Sequence, residues 1–221
     1  MTRRVLAAVV AGCALFAAPL WPKTAAAQQH ARLFPPEDLG LLEGPDREAY
    51  QRPEQVMDAL QIGENSIVAD LGAGGGWFTV RLAVRVRNGR VYAEDVQPQM
   101  IQAIERRVHR EGQEKTVRTV LGTQTDPRIP EPLDAVLIVD TYPEMEQPVA
   151  LLRNVVKSLK PTGLIGIVNY KKDGGGPGPA MEERVDPERV IRDARAAGLE
   201  LRKEEKFLRY HNFLIFGIPP K

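Results

Sequence analysis

Three glycines in the frame Asp70-x-Gly72-x-Gly74-x-Gly76 constrain this chain more than any other feature. Before them stands a short apolar run of strand length, Ser66 to Asp70. Behind them, Trp77 to Val86 places Phe78, Leu82, Ala83 and Val86 on one helical face and turns Arg81 and Arg85 outward. Glycine lets the backbone turn tightly and removes the Cβ that would hold a ligand off. The following helix presents free N–H groups to whatever sits in the turn. In open α/β sheets, ligands sit beyond the carboxyl ends of the strands, where such turns lie.

The rest of the chain continues the alternation. Val91–Glu94, Val117–Leu121, Leu133–Val139 and Leu164–Asn169 read as strands two to five. From Pro98, Ile101, Ile104 and Val108 share one helical face. A later helix, from about Gln147 to Lys160, carries Val149, Leu152, Val156 and Leu159 and is stopped by Pro161-Thr162-Gly163. Asp186 reads as an N-cap with Pro187 behind it, and Gly198 as the stop of that helix. Upstream, Val56, Met57 and Leu60 give Asp46–Leu60 helical spacing. The last two strands, near Leu199–Phe207 and His211–Gly217, are linked through Arg209-Tyr210. A link that short makes an antiparallel hairpin, not a crossover. The pattern predicts an α/β fold, a Rossmann-like doubly wound sheet of seven strands with an antiparallel last hairpin.

Two cofactors compete for the glycine turn. A dinucleotide frame, G-x-G-x-x-G, places its third glycine at position 77, where Trp77 stands; an indole there obstructs a pyrophosphate. S-adenosylmethionine (SAM) has no phosphate, and an acid opening the turn, Asp70, suits its ammonium group. The second signal is Val91-Tyr92-Ala93-Glu94-Asp95-Val96-Gln97. Asp95, 23 positions after Gly72, is spaced to accept hydrogen bonds from ribose hydroxyls, with Val96 against the adenine face and Glu94 as the rival acid. Completed by Pro98 and Met100, this segment resembles the "acidic residue, then Pro-x-Met" element of class I SAM-dependent methyltransferases. The glycine turn resembles their motif I. The resemblance covers roughly Tyr50 to Gly217.

That resemblance implies strand order 3-2-1-4-5-7-6 and SAM as cofactor. It also implies that Gly122-Thr123-Gln124, after strand three, meets the adenine edge through Thr123 and Gln124. The expected cofactor-binding set is therefore Asp70, Gly72, Ala73, Gly74, Gly76, Asp95, Val96, Thr123 and Gln124. The end of strand four, Val139-Asp140-Thr141-Tyr142-Pro143-Glu144, is implied to face the methyl group and the acceptor. Asp140, holding the methionine end, and Tyr142, shaping the site or orienting the acceptor, are the catalytic candidates. Pro143 stands where relatives often have His, so no general base is assigned. Methyl transfer is an in-line displacement in which the protein supplies position and a dry site, and a base is needed only for a protonated acceptor. The stretch also differs from the Asn/Asp-Pro-Pro-Tyr used on amide or adenine nitrogens, which speaks against those acceptors; a small molecule, or else a surface group, is the expected acceptor. Tyr50, within Arg47–Pro53, reads either as a cap over the cofactor or as part of a surface helix. Lys171–Pro179 reads as a lid or a linker. His211 reads as structural, and Arg106, Arg107, His109 and Arg110 as a solvated basic face.

The N-terminus follows different rules. Arg3 and Arg4 precede an uncharged run from Val5 to Leu20, and Ala25-Ala26-Ala27 fits a signal-peptidase site. Residues 1–27 are expected to be a signal peptide that exports the protein to the periplasm. Residues 28–45, with Pro35-Pro36 and Gly44-Pro45, are expected to be an extended arm and 46–221 the methyltransferase domain. A retained signal anchor and a lipid on Cys13 are the rival fates of the first segment. The run is short for a span, so no stable membrane span is expected after cleavage. Cys13 is the sole cysteine, so the mature domain has neither a disulfide nor a thiolate metal site, and no metal is expected. Cleavage removes three basic residues and no acid, turning the net charge from +1 to −2, which argues against a nucleic-acid partner. Two rivals to methyl transfer stay open: an exported SAM-fold binding module without transferase activity, and a Rossmann-like oxidoreductase.

Overall fold

The computed structural model describes residues 33–220. The expected signal peptide, with Cys13, lies outside the described residues. Helix α1 (Arg47–Gln51) leads into α2 (Pro53–Ala59). Then follow β1 (Ile67–Leu71), α3 (Trp77–Arg85), β2 (Arg90–Asp95), α4 (Pro98–Arg110), β3 (Val117–Leu121) and β4 (Leu133–Val139). The chain ends with α5 (Pro148–Lys157), β5 (Leu159–Tyr170), α6 (Pro187–Ala196), β6 (Glu200–Glu205) and β7 (His211–Gly217).

All seven strands form one sheet in the order β3-β2-β1-β4-β5-β7-β6. The first five are parallel; β7 pairs antiparallel with both β5 and β6. This is the α/β, Rossmann-like sheet that the alternation and the resemblance predict. Both faces are covered. Val56, Met57, Phe78, Leu82, Ile104 and Val108 from α2, α3 and α4 pack on one side. Leu152, Val155, Val190, Ile191 and Ala194 from α5 and α6 pack on the other. Burying such a side chain contributes about 1.5–3 kcal/mol, and two apolar layers keep the central strands largely apolar up to their carboxyl ends.

Three local expectations change. The single helix expected over Asp46–Leu60 is broken at Arg52, whose φ is +46°. Pro53 disfavours the α conformation in the residue before it, so the chain turns there and restarts with proline at the first helical position. Helix α5 ends at Lys157, short of Lys160, because Leu133 N–H takes the Ser158 carbonyl at 2.7 Å and Leu159 already pairs with Leu133. The arm expected to be extended instead forms a 3-10 helix over Pro36–Glu43, opened by proline.

Among the described residues no helix is long and apolar enough to cross a membrane. Among the same residues no group of three or more His, Cys, Asp or Glu could hold a metal ion.

Candidate functional site

The carboxyl ends of β1, β2 and β4 meet at the glycine turn. Gly72, Gly74 and Gly76 all have positive φ, at 66°, 56° and 77°. At Gly72 there is also no room: a Cβ would lie 2.1 Å from Thr141 Cγ2. Thr141, just past β4, donates its hydroxyl to the Gly72 carbonyl at 3.1 Å and so ties the two strand ends together. Ala73 N–H donates to the Glu94 carbonyl at 2.9 Å, fixing the turn to the end of β2.

Three buried carboxylates surround this turn. Asp70 accepts from the Thr79 hydroxyl at 2.7 Å. Burial pushes its pKa up to about 6 against that bond and the nearby Arg47 charge. Glu94 is 3% exposed, and burial, with Asp95 beside it, pushes its pKa up to about 8. One of its oxygens, Oε1, is buried without a partner. Asp95 accepts from Gly74 N–H at 3.0 Å and Gln97 N–H at 2.9 Å. Burial raises its pKa while these bonds lower it. Each of its oxygens keeps a lone pair. Val96, Thr123 and Gln124 follow, half-buried, on the loops after β2 and β3. The Thr123 hydroxyl accepts from Asp126 N–H at 3.0 Å, so it is engaged in its own loop.

The structure separates the two catalytic candidates. Asp140 stands at the end of β4 with φ +58°, and its carboxylate accepts from Gln51 Nε2 at 2.9 Å. Tyr142, in contrast, is 1% exposed and lies in the apolar layer under α5 and α6. Its hydroxyl donates to Asp193 at 2.6 Å, and burial raises its pKa. The expectation that Tyr142 shapes the site is therefore corrected: the 3-10 turn at Tyr142–Glu144 directs the ring into the core. Trp77 is corrected as well. Its ring is buried in the core, with the Arg81 guanidinium 3.5 Å and the Arg47 guanidinium 4.4 Å from its centre. It anchors α1 and does not stand over the turn.

Several residues take a place at the site that the sequence did not assign to them individually: Arg47 and Gln51 within the Arg47–Pro53 segment, Gly122 in the turn after strand three, and His211, read as structural. Arg47 donates to the Leu42 carbonyl and to Gln51 Oε1, both at 2.7 Å. Gln51 is 1% exposed and links Arg47 to Asp140. A Cβ on Gly122 would fall 1.8 Å from Glu94 Oε1, so only glycine leaves Glu94 its place. His211 is fully buried, with Nε2 3.4 Å from Asp140 Oδ2. Only the motif acids carried a local signal; the others come from segments far away in sequence. Over the cleft, Phe34 N–H donates to Glu144 at 2.8 Å and Gln97 donates to the Phe34 carbonyl at 3.0 Å. One residue thus links the loops after β2 and β4. Leu39 and Leu42 lie against Gly75 and Gly74.

The lining fits SAM. An orphaned buried oxygen on Glu94, a glycine-rich cradle and three carboxylates suit a cationic ligand that carries hydroxyls and no phosphate.

Residues 68–163 match the family described as a methyltransferase domain. The probable cobalt-precorrin-6B C(15)-methyltransferase (decarboxylating) of Methanothermobacter thermautotrophicus is 32% identical over 112 residues, 50% of this chain and 55% of that protein. The chain thus matches about half the length of that curated relative. A SAM-dependent methyltransferase from Aquifex aeolicus superposes with a TM-score of 0.79 at 26% identity, covering 85% of this chain and all of that one. The O-methyltransferase NcsB1 of neocarzinostatin biosynthesis, solved with S-adenosylhomocysteine (SAH) and a dihydroxynaphthoic acid, superposes at 0.63 with 18% identity, covering 83% of this chain and 60% of that one. At that identity the likeness is one of fold. The chain has the fold of class I SAM-dependent methyltransferases, and its residues 68–163 carry the sequence match to a methyltransferase domain.

Proposed function

We propose that this protein binds SAM and transfers its methyl group to a small-molecule acceptor. One observation carries the reading: Asp70, Glu94 and Asp95 converge, buried, on a glycine turn at the carboxyl ends of parallel strands. Such a lining repels the pyrophosphate of a dinucleotide and attracts a cation. In this reading Asp70 faces the ammonium group and Asp95 the ribose hydroxyls. Val96, Thr123 and Gln124 border the adenine, the last two through main chain or amide, since the Thr123 hydroxyl is engaged. Gly72, Ala73, Gly74 and Gly76 leave the room, and Asp140 lies toward the methionine end. SAM supplies an electrophilic methyl group. The chain's own part is to hold the reactants in line and exclude water, which Phe34 across the cleft favours.

The test is calorimetric titration of the mature domain with SAM, with SAH and, as a control, with NAD. Saturable binding of the first two and none of the third is expected. Gly74→Leu, whose side chain would point toward Leu42, should abolish binding while the domain still melts cooperatively. No binding of SAM or SAH to folded protein, or unchanged affinity in Gly74→Leu, would sink the assignment. Export to the periplasm is part of the proposal and rests on Arg3-Arg4, the uncharged run to Leu20 and Ala25–Ala27. N-terminal sequencing of periplasmic protein should begin at Gln28; recovery of the intact chain from cytosol alone would contradict it.

A further inference from the structure

Building on the methyltransferase reading, we propose that Asp140 and His211 form a proton-accepting pair on the acceptor side of the cleft, and that the acceptor is a flat-ringed small molecule methylated on a hydroxyl.

The first argument is backbone strain. Asp140 is a non-glycine residue in the left-handed region, at φ +58°, a conformation costing about 1–2 kcal/mol. Its N–H is held by the Val168 carbonyl at 2.8 Å. The strained turn carries the carboxylate off the line of β4 and toward α1 and β7.

Two buried side chains meet it there. Gln51 Nε2 donates to Oδ2 at 2.9 Å, and the other end of that amide is fixed by Arg47 Nε at 2.7 Å. His211 Nε2 lies 3.4 Å from the same oxygen, within ion-pair distance but not aligned for a hydrogen bond. Asp140 Oδ1 and both ring nitrogens of His211 are buried without a partner. Only six side-chain atoms among the described residues share that condition, and half of them belong to this pair. Buried polar atoms without partners are costly, and a fold that gathers them has given them a proton or a ligand to handle.

Flat rings surround the pair. Tyr170 lies 4.0 Å from the imidazole, centre to centre, and Tyr50 runs parallel to it at 6.0 Å. Tyr210 meets Tyr50 edge-on at 6.2 Å. The charged and titratable groups facing the pair are Arg47 and Tyr50 from α1, Glu144 after β4, Tyr170 from β5 and Tyr210 before β7. Burial, with Asp140 next, raises the Tyr170 pKa, so Tyr170 is a neutral donor and not a competing base.

Exposure divides the roles. The Asp140 side chain is 25% exposed and His211 not at all. Asp140 is therefore the group that touches the acceptor, and His211 is a positioning residue acting through it. The acceptor O–H proton leaves for the Asp140 carboxylate and comes to rest on His211 Nε2, giving an imidazolium facing a carboxylate. The oxygen keeps the O–H electron pair and forms the bond to the methyl carbon. With SAM bound, its C–S bond would break with the pair returning to sulfur, and the proton would leave the buried imidazole for water by way of Asp140, the exposed partner. A thioether or tertiary amine acceptor has no proton to lose and would leave the pair without work.

The probe is 4-nitrophenol, whose anion absorbs visible light, added at saturating SAH and again without it. Wild-type protein should shift the bound phenol toward its anion by about tenfold, the equivalent of one pKa unit. Asp140→Asn, which keeps a side chain suited to positive φ, should bind the phenol in its neutral form. His211→Gln should lose the shift as well; if that variant melts early, Asp140→Asn carries the test alone. Phenol bound neutral by wild type, an equal anion fraction in either folded variant, or no phenol bound at all would overturn the proposal. SAH calorimetry on the same samples keeps the two readings apart. Absence of SAH binding by the wild-type protein sinks the methyltransferase reading, whereas the ionisation without SAH reports on the pair alone.

Discussion

Tyr142 and Asp140 are two positions apart, yet they do opposite work. Asp140 turns into the cleft because its backbone takes a left-handed conformation. Tyr142, one short turn later, falls on the far face of the sheet and donates its hydroxyl to Asp193 on α6. Tyr142→Phe is accordingly expected to cost about 1.5–3 kcal/mol of stability, the worth of a hydrogen bond to a carboxylate, and to leave SAH affinity unchanged. Denaturant melts and calorimetry check both halves. A tenfold loss of affinity without a change in stability would return Tyr142 to the site.

At the scale of elements, the break between α1 and α2 matters most. It places Tyr50 against Tyr210 and Gln51 against Asp140, and lets Val56 and Met57 turn into the core. Arg52 carries the positive φ that makes the break. Arg52→Val should cost about 1–2 kcal/mol, because a branched Cβ cannot sit comfortably in that region, whereas Arg52→Gly should be neutral or better. Equal stabilities for the two would show that the break is not held by Arg52. The loop after β5 is a second built element. It reads in sequence as a lid or a linker. Instead Arg184, 6% exposed, donates to the carbonyls of Lys171, Gly175, Pro177 and Pro179. Arg184→Met removes the donor that these carbonyls share and should cost about 2 kcal/mol. It should also open residues 173–178 to proteolysis; a loop cut no faster than wild type would show that it holds itself.

Across the whole molecule the buried acids set the response to pH. Burial raises Asp70 from 3.8 to about 6, Glu144 from 4.5 to about 7 and Glu94 from 4.5 to about 8. Through that window the folded state holds more protons than the unfolded one, so stability is greatest below it and falls as pH rises. The melting temperature of the free protein should therefore decline from about pH 4 to about pH 8 as these groups ionise. Saturating SAH should flatten the decline, because hydroxyl donors favour the ionised carboxylates. A melting temperature that rises across the window would mean that the carboxylates are solvated and the cleft open.

Local chemistry was readable along the chain. Glycines spaced for positive φ, an acid before them, a proline and an N-cap at helix starts, and strand and helix periods all act within a few residues. These determined the glycine turn, the five parallel strands and the final hairpin, while the strand order came from the resemblance the motifs carry. Tertiary packing decided the rest. Gln51 reaches Asp140 across 89 positions, and Tyr142 reaches Asp193 across 51. Such pairs leave no periodic trace, because their partners are chosen by which strand ends the sheet brings side by side. His211 reads as structural on its own; only the sheet sets it beside Asp140, with both its nitrogens buried and unpartnered.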